Sequence, residues 1–259
     1  MTELKPDAGE NGLDPRPRSR RGAPVLLVVF ALPVLIVLLL LGNWQVQRLH
    51  WKEGLLATIS DRMSQEPMLL DQAIVQWQET GDVDYLPVRF AGTFMHEGEQ
   101  HYLATYEGQS GWYLYTPLRL EDGGTIIVNR GFVPYDLKEA ANRGWAPLDG
   151  TVSIIGLARN PLFDKPGWLL PENVPEDRIW YWKDFAAMTQ AMAIQEAEIV
   201  PFFVDVATTE GEVAVGPIGG VTRVSLPNNH LQYAITWFGL AAALVVVIGF
   251  FLFRKGDQS

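Results

Sequence analysis

The sequence contains no cysteine among its 259 residues. This absence excludes disulfide bonds, cysteine-ligated zinc, iron–sulfur clusters, thiol catalysis and a thiol-based copper chaperone. Basic residues are also scarce, because 20 Lys and Arg stand against 30 Asp and Glu and give a formal net charge of −10. This balance disfavours nucleic acid as a partner, since phosphate binding requires a basic patch.

Familiar catalytic signatures are missing as well. The sequence has no G-x-S-x-G, no H-E-x-x-H, no phosphate-binding loop and no dinucleotide fingerprint. The acidic pair Glu176-Asp177 lies in a predicted loop, where solvation is a sufficient explanation for it. We therefore expect a protein that is not an enzyme.

Charge is absent from two long apolar segments, residues 23–42 and 233–253. At about 1.5 Å rise per residue, each is long enough to cross the hydrocarbon core of a bilayer. Pro33 lies inside the first segment, and spanning helices tolerate proline because neighbouring groups satisfy the freed carbonyl. A cleaved signal peptide is disfavoured, since this segment exceeds a typical h-region and no A-x-A site follows it. The sequence predicts transmembrane helices at 23–43 and 231–253.

The distribution of charge predicts the orientation of these helices. Basic residues flank them on the outer ends of the chain: Lys5, Arg16, Arg18, Arg20, Arg21, Arg254 and Lys255. The positive-inside rule therefore places both termini in the cytoplasm, with residues 1–22 as a disordered tail and 254–259 as a second tail. Residues 44–230 carry 13 Lys and Arg against 25 Asp and Glu, which agrees with an exported domain.

The exported segment is predicted to form an α+β domain dominated by antiparallel strands. Helical spacing of apolar residues predicts helices at 44–63, 70–77 and 183–193. Alternation predicts strands at 86–94, 101–105, 112–120, 125–133, 151–157 and 199–206. Pro201 indicates that the last strand lies at a sheet edge, because proline cannot donate to the ladder. The fold class is thus an α+β membrane protein with two transmembrane helices bracketing a β-rich extracytoplasmic domain.

Three motifs carry a family resemblance. They are GNWQVQR (Gly42–Arg48), VNRGFVP (Val128–Pro134) and NNHLQYAITWFGLA (Asn228–Ala241). In their order and spacing the chain resembles the surfeit locus protein 1 family from Gly42 to Phe238. Phe132 departs mildly from the family, which often has tryptophan at that position.

The resemblance implies an assembly factor for a haem–copper terminal oxidase, cytochrome c oxidase. It implies a role in maturing the core subunit, subunit I, with haem a bound transiently as cofactor. The implied location is the bacterial inner membrane with the domain in the periplasm, and the implied partners are the core subunit, haem a synthase and the lipid bilayer. The alternative is a membrane scaffold that stabilises an assembly intermediate without binding haem.

His230 is the main candidate ligand, because a neutral imidazole binds haem iron readily. It lies where the second helix enters the outer leaflet, and the apolar helix start would suit the tail of haem a. The alternative is an ordinary interfacial position. In that case Asn228 or Asn229 caps the helix, while His230, Tyr233 and Trp237 form an aromatic belt. The residues alone leave both interpretations open.

Trp44, Gln45 and Arg48 lie at the exit of the first helix, and packing of the two helices would bring this end close to His230. Arg48 could pair with a haem propionate, since a guanidinium matches a carboxylate in a bidentate fork. Alternatively, Trp44 is an interface anchor and Arg48 binds a lipid phosphate or a domain carboxylate. The predicted cofactor-binding set is His230, Arg48, Trp44 and Tyr233, with His230 as the ligand to haem iron.

Asn129, Arg130 and Gly131 are predicted to form a turn after a strand, with positive φ at the glycine. The remaining histidines, His50, His96 and His101, match no metal motif in their spacing and are discounted as a metal site. Four tryptophans are expected to pack in the core or to cover loops: Trp112, Trp168, Trp180 and Trp182.

Overall fold

The computed structural model describes residues 23–195, 198–207, 216–222 and 228–256. The predicted tail 1–22 and residues 257–259 of the second predicted tail lie outside these residues, as do 196–197, 208–215 and 223–227. Contacts divide the chain into two compact units. One unit joins Met1–Glu53 with Pro227–Ser259, and the other is Gly54–Leu226.

The first unit is a pair of long apolar helices. Helix α1 spans Ala23–Met63 and the last helix of the chain, α4, spans His230–Gly256. By length and composition both can cross a membrane. Small residues mediate their packing, as is common between membrane helices. A Cβ on Gly42 would lie 2.8 Å from the ring of Phe238, so glycine at this position lets the helices approach closely.

The second unit contains the end of α1, which continues without a break through the predicted helix 44–63. Near this end, Arg62 donates to a carboxylate oxygen of Asp82 at 2.7 Å and to the backbone carbonyl of Asp84 at 2.9 Å. Asp82 lies just after α2 (Leu70–Thr80), which follows the two-residue strand β1 (Met68–Leu69). These bonds attach the last turn of α1 to the start of the sheet.

The rest of this unit is an eight-stranded sheet that closes on itself. The strands after β1 are β2 Pro87–Phe94, β3 Gln100–Tyr106, β4 Gln109–Leu120, β5 Thr125–Pro134, β6 Thr151–Arg159, β7 Ile179–Trp180 and β8 Ile199–Val206. Their order is β1-β2-β6-β8-β5-β4-β3-β7, and a further β2–β4 pairing closes a ring of β2, β6, β8, β5 and β4. The predicted α+β, β-rich class is confirmed.

Two apolar clusters cover opposite faces of the central strand β5. Its Ile126 and Val128 pack in the larger cluster with residues of α2, whereas Ile127 belongs to the second cluster. That second cluster includes Met188 of α3, the helix Phe185–Ala191. Alternation of side chains along one strand therefore supplies both cores, which explains why β5 is almost wholly buried.

Two sequence predictions need correction here. Helix α3 is shorter than predicted, because Asp184 caps its N-terminus by accepting from the backbone N–H of Ala187. Pro201 does not mark an edge strand, since β8 lies between β5 and β6. The proline instead lies between Ile199 and Phe203 of β8. These two residues pair with Thr125 and Ile127 of β5, and the β5–β8 register shifts between the two pairs. An irregularity of this kind is another place where a strand accepts proline.

Trp168 neither packs in the core nor covers a loop as predicted, for the residue is 87% exposed. The other three tryptophans of that group are buried: Trp112, Trp180 and Trp182. Trp168→Ala is therefore expected to change the free energy of unfolding by no more than about 0.5 kcal/mol. Trp180→Phe is the contrasting variant, because it removes the indole N–H that donates to Gln100 and should cost roughly 1–2 kcal/mol. Urea unfolding curves of both variants in detergent check this, and equal losses would contradict it.

Candidate functional site

The helix pair brings together two polar side chains that are 185 positions apart in the sequence. Nδ1 of His230, at the first residue of α4, lies 2.7 Å from Oε1 of Gln45 on α1. Gln45 is only 9% exposed, whereas His230 is half-buried. Nε2 of His230 makes no hydrogen bond to any residue in the described part of the chain. One ring nitrogen is thus anchored, and no described residue occupies the other.

A small residue lies one helical turn from each member of this polar pair, within the helix unit. Gly42 precedes Gln45 by one helical turn, while Ala234 lies one turn after His230 and is buried. The backbone carbonyl of Asn229 accepts from Tyr233, so α4 begins immediately beside the imidazole. Oδ1 of Asn228 is buried and has no hydrogen-bond partner among the described residues. One imidazole with a ring nitrogen that no described residue occupies is a donor set that fits a haem iron.

The other predicted site residues lie on exposed parts of the same helices. Trp44 and Tyr233 are each 54% exposed. The guanidinium of Arg48 stacks 3.8 Å above the ring of Trp51, one turn further along α1. No contact joins Arg48 to His230 in the described residues, so their joint role in a cofactor site stays a prediction. Stacking uses the face of the guanidinium, and its N–H groups donate to no residue in the described part of the chain, as a carboxylate or phosphate partner would require.

A second polar cluster, not foreseen from the sequence, is buried in the β-rich unit around Glu99. Arg143 donates to both carboxylate oxygens, at 2.6 and 3.1 Å, and Nη1 of Arg130 lies 3.5 Å from Oε2. Nε2 of His101 lies 3.3 Å from Oε1, although without hydrogen-bond geometry. Nδ1 of His96 lies 3.4 Å from Nη1 of Arg130. We call these five residues the Glu99 cluster.

The chemistry of the Glu99 cluster is that of a structural ion network. Burial alone would raise the pKa of Glu99, but interactions with His101 and Arg143 outweigh burial and lower the pKa to about 2. Burial lowers the pKa of Arg130, while the charge of Glu99 opposes that change. Nε2 of His96 lies 2.9 Å from the backbone carbonyl of Leu148, so both of its ring nitrogens are engaged. No group of three or more metal-ligating side chains occurs in the described residues.

The predicted turn at Asn129–Gly131 is wrong, because these residues lie inside β5. Gly131 does have a positive φ of 126°, and a Cβ there would lie 2.2 Å from the carbonyl oxygen of Ile218. Asn129 accepts from the backbone N–H of Gly131 and donates to Asp205 of β8 at 2.9 Å. Gly131 therefore allows the backbone of Ile218 to lie close to β5. Arg130, the residue between Asn129 and Gly131, belongs to the Glu99 cluster.

Comparison with known proteins gives concordant matches. The model of the SURF1 family matches residues 32–242. Surfeit locus protein 1 of Homo sapiens is 39% identical over 220 residues, covering 78% of this chain and 70% of that protein. The Rattus norvegicus protein of the same name is 38% identical, covering 78% of this chain and 68% of its own length. A SURF1-like protein of Monosiga brevicollis is 32% identical, covering 93% and 92%.

Proposed function

The chain belongs to the SURF1 family, and on that premise we propose that it is a non-catalytic, membrane-anchored assembly factor for a haem–copper terminal oxidase. In this proposal the helix pair holds haem a near the outer leaflet and passes it to the core subunit. The proposed location is the bacterial inner membrane, with the β-rich domain in the periplasm. The cations outside the two apolar segments support this orientation.

The observation that carries the proposal is the anchored imidazole of His230. Its hydrogen bond to Gln45 holds the ring, and Nε2, which no described residue occupies, would bind the iron. A carrier must accept its cargo and then release it. A single protein ligand next to apolar helix surface would suit that requirement better than a closed set of several protein ligands.

We further propose supporting roles for the remaining predicted residues. Arg48 would bind a haem propionate through the guanidinium edges that its stacking on Trp51 leaves free. The exposed rings of Trp44 and Tyr233 would contact lipid or the apolar parts of the cargo. Haem a synthase and subunit I are the proposed donor and acceptor of the cargo.

The test of this function is haem a co-purification from cells that synthesise it. His230→Ala is expected to reduce the haem a bound per protein at least tenfold, because it removes the imidazole that would hold the iron. His50→Ala is the matched control, since His50 is an exposed histidine on α1 and should leave haem content unchanged. Equal haem content in wild type and His230→Ala would overturn the carrier proposal.

One observation favours the scaffold as a second candidate function. The loop between β6 and β7 exposes three large apolar side chains: Phe163, Trp168 and Leu169. Exposed aromatic and aliphatic side chains of this kind are common in protein interaction sites. Full oxidase activity in cells that carry His230→Ala, combined with loss of activity on deletion of the whole chain, would favour the scaffold over the carrier.

A further inference from the structure

We propose that Gln45 is a positioning residue that selects the ring nitrogen of His230 presented to the cargo and keeps the resulting iron bond weak enough to break. The inference rests on the proposed carrier function. It adds Gln45, whose side chain contacts the proposed iron ligand His230 and not the haem cargo. It also explains why the side chain at position 45 is an amide and not a carboxylate.

The contact with the amide oxygen of Gln45 favours one tautomer of His230. The amide oxygen of Gln45 can only accept a hydrogen bond, so at 2.7 Å the facing Nδ1 of His230 must donate. A neutral imidazole carries one proton, and the lone pair then resides on Nε2. Gln45 is almost wholly buried, so the packed helices restrict the amide. Nε2 is thereby prepared as the iron ligand before any cargo arrives.

The neutrality of Gln45 sets the strength of that ligand. A histidine that donates to a carboxylate becomes more basic and binds metal more tightly, and second-shell changes typically alter metal affinity by about 10–100-fold. An amide oxygen orients the ring without adding negative charge. A resident cofactor would benefit from the carboxylate, whereas a cargo that must leave benefits from the amide.

The competing explanation is a purely structural hydrogen bond between two membrane helices. Such bonds contribute about 0.6–2 kcal/mol to helix association and require neither a particular tautomer nor any effect on cargo release. Two measurements separate this explanation from the positioning role, and the first of them needs no haem.

The first measurement is the ¹⁵N NMR spectrum of histidine-labelled, haem-free protein in nanodiscs. The chain has only four histidines, so the difference from His230→Ala assigns the signals of His230. We expect a protonated Nδ1 and an unprotonated Nε2 in the wild type, and a mixture of both tautomers in Gln45→Leu. An unprotonated Nδ1 in the wild type, or an unchanged preference in Gln45→Leu, would overturn the assignment.

The second measurement is the rate of haem a transfer from the loaded full-length protein to apomyoglobin, followed by absorbance. Gln45→Glu is expected to slow the release at least tenfold relative to wild type. Gln47→Glu is the matched control, because it adds the same charge at an exposed glutamine two residues away. Equal release rates for the two variants would overturn the tuning role. If no variant binds haem, the carrier function and the tuning role both fail, while the NMR result still decides the orienting role.

Discussion

Replacing Glu99 with glutamine is expected to lower the free energy of unfolding of the β-rich unit by roughly 3–5 kcal/mol, as when one partner of a buried ion pair is removed. The carboxylate accepts two hydrogen bonds from Arg143 and faces Arg130 at 3.5 Å. A glutamine amide would present its NH₂ group to one guanidinium and leave two buried cations without an anion. Urea unfolding of the full chain in detergent, followed by tryptophan fluorescence, measures the loss.

Glu172→Gln is the matched control for this variant. Glu172 also pairs with a cation, Lys165, but its side chain is 84% exposed. Exposed ion pairs contribute about 0–1 kcal/mol, so its loss should be small. Similar losses for the two variants would mean that the Glu99 cluster does not stabilise the fold.

The stability that Glu99 contributes has a defined pH dependence. The pKa of Glu99 is lowered from 4.5 to about 2 in the folded protein. A carboxyl group with a depressed folded pKa contributes stability that is fully present above its unfolded pKa and is lost as the pH falls through the folded value. The stability difference between wild type and Glu99→Gln should therefore be constant above about pH 5 and shrink between pH 4.5 and 2. A difference that grew on acidification would contradict the ion network.

The second large effect is expected for Gly131→Ala, with a loss of roughly 3 kcal/mol or more from backbone strain and overpacking together. The residue has φ of 126°, which alanine adopts only with strain. Its Cβ would also lie 2.2 Å from the carbonyl oxygen and 2.5 Å from the carbonyl carbon of Ile218. These are backbone atoms that cannot rotate away, and the two hydrogen bonds between Phe132 and Ile218 would be broken. Thermal and urea unfolding measure the loss.

Two glycines provide graded controls for this prediction. Gly150 has a φ of 80° but open space around its Cα, so Gly150→Ala should cost only about 1 kcal/mol. Gly167 lacks both constraints, and Gly167→Ala should change stability by less than about 0.5 kcal/mol. If Gly131→Ala and Gly150→Ala lost the same amount, the contact with Ile218 would have no energetic importance.

Local patterns predicted most elements of the fold but not its closure. The strand 199–206 was predicted with its observed bounds, because alternation and flanking breakers are local signals. The β2–β4 pairing that closes the ring joins Gly92–Phe94 to Leu118–Leu120, and nothing in either segment encodes that distant choice. The position of Pro201 was misjudged for the same reason, since an irregular register between strands depends on the partner strand.

The candidate site was partly predictable. Two apolar helices had to pack, which predicted that the region around Gln45 would approach His230, and the structure pairs these residues. The Glu99 cluster gave no local signal in the sequence. Arg130 and Arg143 lie far from Glu99 along the chain, and the segment that contains His96 and Glu99 is polar, which is not a pattern that predicts burial. Only the folded sheet buries Glu99 and brings these charges together.

The closed ring of β2, β6, β8, β5 and β4 also determines how another chain can join this domain through its main chain. Every ring strand has a neighbour on each side over at least part of its length, which leaves little backbone there for an incoming extended segment. Within the described residues, the start of β6, Thr151–Ile154, pairs with β2 and not with β8. Addition of a strand from another chain is therefore confined to this stretch and to the strands outside the ring, β1, β3 and β7, whereas recognition elsewhere on the ring uses side chains and connecting loops.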